Sequence, residues 1–344
     1  MTKRELFLAN ARGERTNRTP IWIMRQAGRY MKEYLETREK YSFETICQTP
    51  ELAAEVTMQP IDKFGFDAAI IFSDILFILE PLNINLKYDP GPILSPLLEK
   101  PEQTKLYQKY DASDKLGFVG KAIKIARQKL GNDTALLGFC GAPFTLFSYL
   151  CGASGYIGLH NAVRFLIRYP DEGTEVLKLL TGLSYSYLKM QLKSGTDAIQ
   201  IFDTWAGELS LEDFNRWSKP YIKSIIDRLH DDGYLTSVYI RGSYHLLESI
   251  KEFKTDIMSI DWKTPLADAQ KILAPSAIQG NLSPSIMLGT ESEVKQRAEM
   301  ILNEMKDYSG FIFNLGHGIL PETPTANVKA LVELVQNYRR EPND

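Results

Sequence analysis

The chain has 344 residues, 44% hydrophobic and 24% charged, an ordinary globular balance that completes a core without disulfides or metals. Forty basic against 43 acidic residues leave a net charge of −3, which excludes a global field for nucleic acid or an anionic membrane, so any anion recognition is local. The most apolar stretch, 68–79, is interrupted by Asp74 and too short to span a bilayer, and residues 1–15 carry mixed charge with no signal-peptide core.

Eight short apolar runs recur along the chain, at residues 20–24, 68–72, 135–139, 198–202, 235–240, 257–260, 277–279 and 310–313. Most are apolar throughout rather than alternating, as parallel strands covered on both faces are. Helical stretches, not hairpin turns, separate them, which gives a βα repetition and predicts a closed (β/α)8 TIM barrel. The third and sixth runs also fit buried helix.

Helix starts are expected at Thr49-Pro50, Thr264-Pro265 and Thr323-Pro324, a capping hydroxyl before a proline at the first helical position. Gly65 and Gly233 mark helix ends, and Pro60 is expected to kink or break its helix. Residues 83–103, with Pro90, Pro92, Pro96 and Pro101, read as a surface loop or small hairpin between the second run and its helix. No linker divides the chain, so residues 1–344 read as one domain. Cys47, Cys140 and Cys151, without CxxC spacing, fit a reducing compartment, hence the cytoplasm.

In such a barrel the chemistry sits where the strands end. Those ends read Arg25-Gln26-Ala27-Gly28-Arg29, Ser73-Asp74, Cys140-Gly141-Ala142-Pro143, Asp203-Thr204, Arg241-Gly242, Asp261-Trp262, Gly280-Asn281 and Asn314-Leu315-Gly316-His317-Gly318. Arg25 and Arg29 flank a glycine-containing turn. Their guanidinium forks suit a polyanion, or equally a surface ion pair. Asp74 is either a buried cap or a functional anion. His317 lies between glycines that leave room for a ligand, though a lone histidine is also a common structural residue. Tyr149 fits a core position and Thr204 a turn. His160, His230 and His245 read as surface or packing residues. The glycine-rich stretch 152–158 has neither phosphate-loop spacing and reads as a lid or a loop. No HExxH, CxxC, His-x-Cys or GxSxG is present.

Arg25-Gln26-Ala27-Gly28-Arg29-Tyr30 and Phe72-Ser73-Asp74-Ile75-Leu76 closely resemble the uroporphyrinogen decarboxylase family. The resemblance continues, in the family's order, through Gly141-Ala142-Pro143-Phe144-Thr145-Leu146, Phe202-Asp203-Thr204-Trp205-Ala206-Gly207, Gln279-Gly280-Asn281-Leu282 and Phe313-Asn314-Leu315-Gly316-His317-Gly318. It implies a distorted (β/α)8 barrel, a homodimer, and removal of the four acetate carboxyls of uroporphyrinogen III to give coproporphyrinogen III, with no metal or organic cofactor. The family's substrate site falls on Arg25, Gln26, Ala27, Gly28, Arg29, Asp74, Tyr149, Thr204 and His317, with Asp74 and Arg25 as the catalytic pair. Thr204 stands where many members carry serine, and Ser283 where they often carry aspartate. The segment after Cys151 departs from the common forms. Two rivals remain: a corrinoid-linked methyltransferase of the same superfamily, whose zinc-binding His-x-Cys position is occupied here by Tyr239-Ile240-Arg241, and a non-catalytic porphyrinogen carrier.

Overall fold

The computed structural model describes residues 1–152 and 155–340. Strand β1 (Ala68–Ile70) is followed by a hairpin of β2 (Asn85–Tyr88) and β3 (Pro92–Ser95), paired antiparallel. Then come β4 (Ala135–Gly141), β5 (Ala198–Asp203), β6 (Leu235–Ile240), β7 (Ile257–Ser259), β8 (Ala277–Leu282) and β9 (Phe311–Leu315). Among the described residues β1 and β4 to β9 form one parallel seven-stranded sheet in chain order. The excursion expected at 83–103 is the β2–β3 hairpin. The third and sixth runs are strands, not helices.

The strands are buried on both faces, which is why they read as unbroken apolar runs. Side chains alternate along each strand, so one set points into a common interior. Ala68, Ala135, Leu137, Ala198, Tyr239, Ile257, Ala277 and Ile312 from seven strands meet there with Trp22 and Met24. Polar members of the same set tie the interior together. Trp22 Nε1 donates to Gln279 Oε1 at 2.8 Å, Gln279 Nε2 to Gln200 Oε1 at 3.0 Å, and Ser237 Oγ to Gln200 Oε1 at 2.7 Å. The sheet therefore curls until its inner face packs on itself. A larger apolar layer lies between the outer face and the helices.

The first apolar run departs from expectation. Residues 20–24 make one isolated bridge, Ile21 to Phe313, rather than a strand. The cause is local. Pro20 has no N–H to give, Ile23 N–H goes to Gln26 Oε1 (3.4 Å), and Met24 N–H goes to Asn314 Oδ1 (3.0 Å). Side chains take the donors that a neighbouring strand would need.

The helix boundaries are partly corrected as well. Pro50 begins the helix Pro50–Phe64, but Thr49 makes no side-chain cap. At the other two sites the proline itself is the N-cap with extended ψ, so the helices start one residue later, as Leu266–Leu273 and Thr325–Asn337. Pro60 leaves its helix unbroken. Packing of that helix along Gly117–Leu130 outweighs the roughly 3 kcal/mol that an interior proline costs. Gly65 ends the helix in the left-handed conformation, and Gly233 does the same two residues past Lys219–Asp231. All three cysteines are free and buried. Of the glycine-rich stretch, Ala153 and Ser154 lie outside the described residues, and Gly155 opens the helix Gly155–Arg168. No helix among the described residues is long and apolar enough to cross a membrane.

Candidate active site

Strand alternation selects what faces the mouth of the curled sheet. Ser237 and Tyr239 point inward on β6, so Arg241, two residues further, follows them at the rim. Ala198, Gln200 and Phe202 set the phase for Thr204, and Ala68 and Ile70 set it for Asp74 just past β1.

Asp74 lies deep and half-buried. Its Oδ1 accepts Leu76 N–H at 2.8 Å, which fixes the carboxyl in a tight turn. Burial raises its pKa above the usual carboxylate value, opposed by the Leu76 N–H, by Tyr88 and by the charge of Arg25. Tyr88 reaches it from the β2–β3 hairpin, its hydroxyl beside the carboxyl without completing a hydrogen bond of good geometry. No ion pair holds Asp74 among the described residues.

Arg25 is the cation nearest in effect. It is an exposed residue with φ of +62°, the left-handed region that a side chain adopts only under constraint. The constraint is visible on both sides. Gln26 is almost fully buried, its Nε2 donating to Ala68 O at 3.2 Å, and Tyr30 Oη donates to Gln26 O at 2.6 Å. The Arg25 stem then lies across Gly318, where a Cβ would come within 2.4 Å of Arg25 Cδ. Gly318 leaves the stem room to lie there. Gln26 serves the turn with its side chain, whereas Ala27 and Gly28 are half-buried in it.

His317 sits behind Arg25. Its Nδ1 is 3.1 Å from Tyr239 Oη, and the two rings stack at 5.9 Å with 17° between planes. Burial, then the charges of Arg25 and Arg241, pull its pKa down to about 4, so the imidazole is neutral at neutral pH. The arginines thereby disfavour the imidazolium, the form in which a histidine acts as an acid.

Tyr149, on the helix Pro143–Cys151, is half-buried and senses Asp74, Arg25 and Arg241, with burial raising its pKa. Arg25, Asp74, Tyr149 and His317 are thus one constellation. Arg29 stands apart from it, exposed on the same turn, and like Arg25 it has no ion pair among the described residues. Thr204 is half-buried at the end of β5, its N–H donating to Thr145 Oγ1 at 3.0 Å.

The sequence reading gave no role to several groups. Arg241 belongs with the constellation: it stacks 5.1 Å over Trp205, pairs with Glu208 at 3.2 Å, and acts on His317 and Tyr149. Asp203 is fully buried and accepts from Thr145 Oγ1 (2.6 Å), Ser218 Oγ (2.7 Å) and Ala206 N–H (3.2 Å), which holds the turn carrying Thr204 and Trp205. Asp261, also fully buried, accepts Gly242 N–H at 2.7 Å and so holds the turn after Arg241. The alternation Ser237, Tyr239, Arg241 was the available signal for the first; the buried carboxylates had none beyond their strand-end positions. Among the described residues no three His, Cys, Asp or Glu side chains group as metal ligands would.

Known proteins align with this arrangement end to end. The sequence model of the family "Uroporphyrinogen decarboxylase (URO-D)" matches residues 2–338. A uroporphyrinogen decarboxylase of Geotalea daltonii is 39% identical over 336 residues, 97% of this chain and 99% of that protein. One from Thermodesulfovibrio yellowstonii is 39% identical over 339 residues, 98% of each. Among solved structures, a methyltransferase from Methanosarcina mazei shares the fold with a TM-score of 0.83, at 21% identity and 98% coverage of both chains. A B12-independent methionine synthase from a Shewanella species is more distant, with a TM-score of 0.55, 12% identity, and 83% and 87% coverage. At that identity the last two bear on the fold alone. With a full-length family match and relatives near two-fifths identity across the whole chain, the protein belongs to the uroporphyrinogen decarboxylase family.

Proposed function

We propose that the chain decarboxylates uroporphyrinogen III at its four acetate side chains, giving coproporphyrinogen III and four CO2 in tetrapyrrole synthesis. The observation that carries this reading is Asp74, a deep carboxyl that accepts Leu76 N–H, feels the charge of Arg25 and, among the described residues, has no ion pair. The substrate is an octacarboxylate ring whose four pyrrole N–H groups point inward. An anion at the floor takes two or more of those N–H groups, while cations at the rim take carboxylates.

Simple loss of CO2 would leave an unstable carbanion. Protonation of a pyrrole ring carbon first makes the ring a cationic electron sink. The bond to the carboxylate then breaks, its electron pair neutralises the ring as an exocyclic methylene, and CO2 leaves. A proton added to the methylene gives the methyl group, and the ring proton is lost. Each cycle consumes one proton and releases one CO2. Asp74 stabilises the cationic ring in a low-dielectric site, a fixed charge placed where charge develops. Arg25 and Arg29 bind carboxylates, with about 1.5–3 kcal/mol for each charged hydrogen bond. Tyr149, Thr204, His317 and the turn of Gln26, Ala27 and Gly28 line the ring's seat, and the ring proton comes from Arg25 or from water. The substrate supplies its own electron sink, so the reading calls for no cofactor.

The same reading takes residues 1–344 as one domain and the curled sheet as a closed eight-stranded barrel with residues 20–24 as its eighth stave. Asp67 N–H to Ile21 O (2.9 Å) and Phe313 N–H to Pro20 O (2.9 Å) support that closure. It also takes the enzyme as a cytoplasmic homodimer without nucleic-acid or membrane partners. The methyltransferase reading gains nothing from shared fold, since the end of β6 presents Tyr239 and Arg241 rather than zinc ligands.

Chromatography of products after anaerobic incubation with uroporphyrinogen III tests the proposal. Coproporphyrinogen is expected from the wild type, and substrate bound but unchanged would instead mark a carrier.

A further inference from the structure

Tyr239 is the last inward-facing side chain of β6 and is fully buried, its hydroxyl placed between two groups of the loop after β9. Gly316 O lies 2.8 Å away and His317 Nδ1 lies 3.1 Å away. A phenol has one hydrogen and a carbonyl oxygen can only accept. The hydroxyl hydrogen therefore goes to Gly316 O, which leaves only lone pairs on Oη to face Nδ1. A contact at that distance then needs the hydrogen on Nδ1. A neutral imidazole has one N–H, so with Nδ1 protonated Nε2 carries a bare lone pair. The Gly316 side is itself tied down, its N–H donating to Leu282 O at 2.8 Å.

We propose that Tyr239 is a positioning residue that locks His317 in the Nδ1–H form and presents Nε2 to the ligand as a hydrogen-bond acceptor. This rests on the decarboxylase reading for the ligand's identity, not for the tautomer. At neutral pH the substrate's eight carboxylates are acceptors, and its only donors are the pyrrole N–H groups. A bare Nε2 therefore recognises a ring N–H and repels a carboxylate, which sets the face of the macrocycle that His317 meets. Neutrality of the ring under Arg25 and Arg241 agrees with this assignment.

The chain has four histidines, so 15N-histidine labelling gives a readable spectrum, with His317→Gln assigning the His317 signals. The ligand-free wild type should show a protonated Nδ1 and a bare Nε2 at His317. Tyr239→Phe should lose that preference and lower kcat/KM about fivefold, the scale of one neutral hydrogen bond. A wild-type spectrum with the proton on Nε2 overturns the proposal without any variant. So does a Tyr239→Phe protein that keeps both the native tautomer and the native kcat/KM. If the Nδ1–H form is found but the wild type produces no coproporphyrinogen, the decarboxylase reading and the N–H assignment fall, while the tautomer stands on its own signal.

Discussion

The two ends of the sheet use the same residue types to opposite purpose. At the end where strands begin, the aspartates just before three of the strands are all matched. Asp67, one residue before β1, is fully buried and takes both Arg18 guanidinium nitrogens and Ile21 N–H. Asp197, one residue before β5, is gripped by Arg4 and Arg127 and also takes Leu136 N–H. Asp256, one residue before β7, takes His230 and Thr236. At the end where strands finish, Asp74 has one backbone partner, and Arg25 and Arg29 have no ion pair among the described residues. A paired carboxylate closes a fold; one left open in a low-dielectric site is held ready for something else. The contrast teaches where to look for function: at charges whose partners are missing.

Substitutions at the two ends should part company. The largest expected effect is Asp74→Asn, which should depress turnover on the order of 10²–10³-fold, the scale of removing one preorganised electrostatic group. Its melting temperature should hold or rise, because burial already disfavours the charge being removed. A loss of stability to match the lost activity would erase the contrast. At the other end, Arg18→Ala leaves Asp67 buried without its cation and should cost ~3 kcal/mol in chemical denaturation. The folded fraction should keep native kcat. Arg29→Ala is milder and should raise KM about tenfold with kcat little changed, one charged hydrogen bond lost from binding.

The remaining effect is a pH slope. His317 binds its proton in the unfolded chain near its ordinary value of about 6.5, but in the fold only near about 4. Its contribution to stability is therefore present above about 6.5 and is lost as pH falls toward about 4. His317→Gln should flatten that part of a pH–stability curve, and an unchanged slope would place the titration elsewhere.

Much of this was legible in the sequence because burial on both faces writes itself as continuous apolar runs, and a parallel sheet places the residues after them together. Seven of the eight runs are strands. The first is not, because the donors of Ile23 and Met24 are taken by Gln26 and Asn314, a side-chain choice no periodicity reveals. Prolines after threonines misplaced two helix starts, since dipeptides do not show whether a proline has helical or extended ψ. At the site, Arg25, Asp74 and His317 were marked by position and by family likeness. Arg241 and Tyr239 were passed over, although strand phase puts both on the inner face with Ser237. Neutrality of His317 could not be read from its neighbours in sequence, because the arginines that enforce it come from residues 25 and 241.

The central claim is that Asp74 seats the ring nitrogens at the floor of a cationic cup. A crystal structure with coproporphyrinogen bound tests it most directly. The account predicts an Asp74 carboxylate oxygen within about 3 Å of at least two pyrrole nitrogens, with Arg25 on a side-chain carboxylate of the same ring. A macrocycle bound with its nitrogens turned away from Asp74 would contradict it.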